Sequence, residues 1–164
     1  MSSRQWGIAA VCLTMLTGAC QKPPAFTAAD EAVVKGMFDS TVVWLKGKKF
    51  NEWSMNFADN GFLQPPNAKT VTGRPGLIAW ANALPPLEEF TFSNVKVAGT
   101  GNMAMGTSDY TSKFAGVPAD TGKQLVVIHR SADGKWSIAA ASFNSDLPPV
   151  PMPTAAKAPT PAKK

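Results

Sequence analysis

Cys20 is the residue whose setting points most directly to a chemistry. Arg4 gives a positive start, the run from Trp6 to Leu16 is almost wholly apolar, and Thr17, Gly18 and Ala19 set small side chains before the thiol. A thiol can take a diacylglycerol thioether, and small neighbours let membrane-embedded enzymes reach it. The apolar run is shorter than the roughly 20 residues a membrane span needs. The expectation is therefore a signal peptide over 1–19 and lipidation at Cys20, against an ordinary secretory leader or an uncleaved anchor. Cys12 would leave with the leader, so the mature chain would hold no disulfide and no cysteine-based metal site.

The other candidates are few. His129 is the single histidine; it could be a general base or a ligand, but without a second histidine or a body cysteine a transition metal would rest on carboxylates alone. Strand alternation puts Leu125, Val127 and His129 on the face opposite Val126 and Ile128, which suits a surface or subunit-contact histidine. Asp59 falls where aspartate is favoured for turn bonding. Asp109 and Tyr110 point to opposite faces of one strand, and the cost of an unpartnered interior carboxylate favours Asp109 outward. No serine sits in a Gly-x-Ser-x-Gly elbow and no glycine-rich phosphate loop is present; Gly99-Thr100-Gly101 reads as hairpin turn. No metal and no cofactor is expected.

The elements that must position these residues follow from period and punctuation. The chain has 164 residues, and without its leader and its Pro/Ala/Lys end it is long enough for one core and too short for two. Residues 20–26 read as a tether and 27–147 as the domain. The segment 148–164 reads as an extended, disordered tail, because it lacks the apolar side chains that offset ordering. Thr27 caps a helix with Asp30 and Glu31 in its first turn. Val34, Met37, Phe38, Thr41, Val42 and Leu45 then form its apolar stripe, and Gly47 ends it. A short helix is predicted from Phe50 to about Phe57, strands at Phe62-Leu63 and Val71-Thr72, and a third helix from Pro75 until Pro85-Pro86 stops it. The period then changes to strands: Phe90 to Val97, Met103 to Phe114, Gln124 to Arg130, and, after the Asp133-Gly134 turn, Trp136 to Asn144.

Composition narrows the partners. The net charge of the full chain is +5, and loss of Arg4 would leave fifteen basic against eleven acidic residues. Much of the excess lies in Lys46, Lys48, Lys49 and in Lys157, Lys163, Lys164, which lack interleaved stacking aromatics, so no nucleic-acid partner is expected. Weak attraction to anionic headgroups is the remaining reading of these lysines.

Two resemblances add to this reading. Leu16-Thr17-Gly18-Ala19-Cys20 resembles the bacterial lipobox, with Thr17 where that motif has leucine. The ordered runs Phe57-Ala58-Asp59-Asn60, Phe62-Leu63-Gln64-Pro65-Pro66-Asn67, Val71-Thr72-Gly73-Arg74, Pro85-Pro86-Leu87, Asp133-Gly134-Lys135-Trp136 and Phe143-Asn144-Ser145-Asp146 resemble the SnoaL-like group. That group belongs to the superfamily of nuclear transport factor 2 and ketosteroid isomerase, and the similarity covers about 28–147. It implies an α+β cone, three helices packed on a strongly curved antiparallel sheet, enclosing a pocket and often pairing as a homodimer through the outer sheet face. In the isomerase branch a tyrosine and a protonated aspartic acid hold the oxyanion while another aspartate moves the proton. The corresponding positions here are Thr41, Pro65 and Val126, and neither proline nor valine can ionise.

Phe57, Phe62, Trp80, Val126, Ile128 and Phe143, with Gln64, Tyr110 and Asn144 as polar contacts, are the predicted lining of a site for a small amphipathic molecule. Two interiors remain open, a filled core or a working pocket; Ala139 and Ala141 on the strand face of Phe143 would leave space. Three functions remain open as well. One is a lipid-anchored envelope protein that binds a small apolar or amphipathic molecule without catalysis. Another is an isomerase, cyclase or hydrolase using Asp59, Asp109 or His129, and the third is a dimeric assembly module. Gln21, where inner-membrane retention often has aspartate, predicts the outer membrane, facing the periplasm, in a Gram-negative host.

Overall fold

The computed structural model describes residues 25–148; the predicted leader, Cys12, Cys20 and most of the predicted tail lie outside them. The elements run α1 (Ala28–Lys46), α2 (Phe50–Ser54), β1 (Phe57–Gln64), β2 (Val71–Thr72), α3 (Gly73–Asn82), β3 (Leu87–Thr100), β4 (Met103–Phe114), β5 (Asp120–Arg130) and β6 (Trp136–Ser145). The fold is α+β: three helices packed on one strongly curved six-stranded sheet of order β2-β1-β6-β5-β4-β3.

Helix α1 starts where the sequence places it. The Thr27 hydroxyl accepts from the Asp30 amide, and the Asp30 carboxylate accepts from the Thr27 amide, a reciprocal capping box. Its stripe of Val34, Met37, Phe38 and Thr41 is buried against the sheet. Asp30 does more than cap. Its Oδ1 accepts from the Trp136 indole at 2.9 Å and from Arg130 at 2.9 Å, so the first turn of α1 is tied to the ends of β5 and β6. Arg130 also lies over the Trp136 ring, 4.9 Å from its centroid, and donates to the Gly101 carbonyl. Phe26 packs edge-on against Trp136 and onto Gly99. This is the closed base of the cone.

Strand β3 runs through Gly99 and Thr100, which pair with Ala104 and Met103, so the turn is confined to Gly101-Asn102; three further departures from the sequence reading bear on the site. First, α2 is shorter than predicted, and Phe57 opens a strand. The Ile138 amide donates to the Asn56 carbonyl at 2.7 Å, and Phe57 pairs with Ile138, so β6 draws this backbone out of the helix. Second, the β1–β6 pairing is parallel, which makes the sheet mixed. Third, β5 begins at Asp120, four residues before the predicted Gln124. The hairpin at Asp133-Gly134 forms as expected, with Gly134 at φ +87°.

Candidate functional site: an aromatic cavity with one carboxylate at its mouth

The interior is open. A cavity of about 550 Å³ lies between the concave sheet face and α2 and α3, a volume within the usual range of small-molecule sites. The filled core sits beneath it, toward the base, where Val34, Phe38, Val126 and Ile128 are almost wholly buried. The mouth is formed where prolines stop regular structure: Pro65-Pro66 after β1, Pro85-Pro86 after α3, and Pro118 between β4 and β5.

Of the predicted lining, Phe57, Trp80, Tyr110 and Phe143 border the cavity. The others do not. Phe62 and Gln64 pair with Ala140 and Ser142 on the outer face, while Leu63, opposite Ala141, turns inward. A register shift between Phe57 and Phe62 breaks the simple alternation that would relate them. Val126 and Ile128 do face inward, but in the filled core under α1. Asn144 is exposed, and only its carbonyl takes part, accepting from the Tyr110 hydroxyl at 3.2 Å. Ala141 lines the cavity as expected. Ala139 does not, because it is the extra residue of the β6 irregularity: Val127 pairs with Ala140 and Ile128 with Ile138, leaving Ala139 between them.

The three candidate acids and bases are elsewhere. Asp59 is exposed and pairs with Arg74 at 2.7 Å. Asp109 turns outward and accepts from Asn94. His129 is half-buried on the outer face, its Nε2 3.1 Å from the Asn102 amide nitrogen. Among the described residues no group of three or more His, Cys, Asp or Glu is placed to hold a metal, and no helix is long and apolar enough to cross a membrane. Thr41 and Pro65 line the cavity and Val126 lies below it, so two of the three isomerase-type positions reach the site and bring no ionisable group.

Asp120 is the lining carboxylate that the sequence reading missed. It borders the cavity at the start of β5 and is held there by two hydroxyls. Tyr110 donates to its Oδ2 at 3.0 Å and Ser145 to its Oδ1 at 2.6 Å. Burial, followed by the bond to Asp120, pushes the Tyr110 phenol above its ordinary pKa, so it stays a neutral donor. Aromatic rings run from this corner into the cavity. Tyr110 stacks edge-on against Phe143 at 5.8 Å, Phe143 packs on Trp80 at 6.4 Å, and Trp80 lies 6.1 Å from Trp53. Lys48 is the other charged group on the lining, exposed on the α1–α2 turn.

No protein-family profile and no curated protein matches the chain. Solved structures do. A protein of unknown function with a cystatin-like fold from Nostoc punctiforme shares 17% identity and covers 75% of this chain and 96% of its own, with a TM-score of 0.66. A ketosteroid isomerase-like protein from Erwinia carotovora atroseptica shares 17%, covering 74% of this chain and 100% of its own, at 0.64. A Catenulispora acidiphila protein in complex with S-DNPA shares 19%, covering 73% and 96%, at 0.63. The architecture is thus similar to that of the cystatin-like and ketosteroid isomerase-like structures. At these identities the likeness establishes fold, and function has to be argued from the site.

Proposed function

We propose that this chain is a lipid-anchored protein of the cell envelope whose cone holds one small, largely apolar or amphipathic molecule without transforming it. The open aromatic cavity carries this reading. Its walls are mostly apolar and aromatic with a few polar groups, Asp120 and Tyr110 among them, the division expected of a site that takes an apolar body and orients it by polar contacts. The set needed for isomerase chemistry is replaced by Thr41, Pro65 and Val126. The anchor rests on Cys20 and the small residues before it, and Gln21 favours the outer membrane, facing the periplasm.

Native mass spectrometry of the protein extracted from its own envelope in mild detergent tests both halves. The expected spectrum shows a chain beginning at Cys20 with a lipid mass, and a single small molecule released on activation. A chain with its leader intact, or an unmodified Cys20, would remove the anchor. A lipidated chain that never carries a small molecule would argue against the receptor.

A second reading is favoured by one observation. Asp120 is an ionisable group on an open cavity, so an enzyme of isomerase, cyclase or hydrolase type would use it in place of Asp59, Asp109 or His129. Both of its oxygens already accept hydroxyl hydrogens, an arrangement that suits an anchor better than a free base. The outer sheet face supports a homodimer. Met103, Met105 and Leu125 are 42–47% exposed there, beside Val127, and an apolar surface of this kind fits a self-complementary contact. The same surface would serve an assembly module.

A further inference from the structure

The cavity is not chemically uniform, and its one asymmetry names a ligand class. Among the described residues Asp120 is the only carboxylate on its lining, and two hydrogen bonds fix it in place. A carboxylate offers about four acceptor positions. Two are taken by the Tyr110 and Ser145 hydroxyls, which leaves acceptor capacity for a guest. The adjoining surface is the aromatic series Tyr110, Phe143, Trp80 and Trp53, and ring faces attract cations electrostatically. Lys48, the one cationic side chain among the described residues of the lining, sits on an exposed turn where its ammonium can stay in water.

Building on the receptor reading above, we propose that the preferred guest is a hydrophobic amine, its protonated nitrogen donating to Asp120 and its apolar body lying along the aromatic wall. An alcohol of the same length fills the same wall but offers only a neutral donor. A sulfate ester places negative charge against the carboxylate.

Calorimetric titration of the whole protein with decylammonium and decyl sulfate below their micellar concentrations, and with decanol below its solubility limit, decides the matter. Decylammonium binds about tenfold tighter than decanol, the gain expected of a charge-assisted hydrogen bond, and decyl sulfate binds weakest. Asp120→Asn brings amine and alcohol to the same affinity, with the larger loss on the amine. In the unaltered protein, added salt narrows the gap between amine and alcohol by screening, a readout that does not depend on the variant folding. Equal affinities in the unaltered protein, or an amine preference that survives Asp120→Asn, would overturn the amine proposal while leaving the receptor intact. Failure of all three probes to bind would overturn the receptor reading and the amine proposal together.

Discussion

The Tyr110 phenol reaches Asp120 because position 122 is glycine. Tyr110 and Gly122 are register partners on β4 and β5, and a Cβ on Gly122 would stand 2.6 Å from the Tyr110 ring and collide with the Asn144 carbonyl. Gly122→Ala should therefore lower stability by about 1–3 kcal/mol through overpacking, read as a lower urea midpoint, and displace the phenol from Asp120. The same glycine hides Asp120 in the sequence: Gly116, Pro118 and Gly122 are all turn-type residues, yet Asp120 between them is the first residue of β5. Asp30 at the opposite end permits a pH test. Its carboxyl is held down from 3.8 to about 2, first by the Trp136 indole, then by Thr27, with Arg130 adding charge attraction. A carboxyl whose folded pKa lies below its unfolded value stabilises fully above about pH 4, and that contribution fades as pH falls toward 2. Asp30→Asn should be less stable at neutral pH and lose less stability between pH 4 and 2. Parallel acid melts of the two proteins would contradict the network.

At the scale of elements, legibility followed how local the determinant was. Helix α1 was readable because its capping box and apolar stripe are encoded within one segment. Strand β4 was readable from Met103 to Phe114 because the Gly101-Asn102 turn precedes it and alternation runs unbroken. Strand β1 was not, since what takes Phe57 out of a helix is a parallel ladder to Ile138, some eighty residues away. The site was legible in part for the same reason. Phe57, Trp80, Tyr110 and Phe143 were found from residue type, but irregularities in β1 and β6 reassign Phe62 and Ala139, and no period-two pattern reveals an irregularity in advance. Helix α3 roofs the cavity through Trp80 and Ala81 and is fastened by Leu77, which is fully buried. Leu77→Ala should cost about 2–5 kcal/mol, by transfer loss plus the void left behind. Thermal denaturation would register it, and a loss below about 1 kcal/mol would mean that α3 is held chiefly by something else.

For the molecule as a whole, the fold separates two ends. α1 starts, and β3 and β5 finish, at a base locked by Asp30, Arg130, Trp136 and Phe26, which is also where the predicted tether enters. β3 and β5 begin, and β4 and β6 finish, at the mouth. An anchor at Cys20, six residues before Phe26, would hold the base toward the membrane and leave the cavity facing the aqueous side. The apolar outer face adds a prediction on assembly. Val127 lies between Met105 and Ala140 in the ladder, with Phe62 beyond Ala140. Sedimentation should give a dimer that Val127→Glu converts to monomer without unfolding it, since that side chain points away from the core. A monomer before substitution would remove the outer face from consideration.

If the cavity is a receptor for an apolar body, filling it should abolish binding, and Ala141 offers the most direct way to close it. Ala141 is 3% exposed and lies on the cavity wall opposite Leu63. Titration with the neutral fluorophore N-phenyl-1-naphthylamine should give saturable enhancement at one probe per chain, and Ala141→Trp should abolish it while preserving the far-ultraviolet circular dichroism. Absence of enhancement in the unaltered protein, or equal binding by a folded Ala141→Trp variant, would contradict the account.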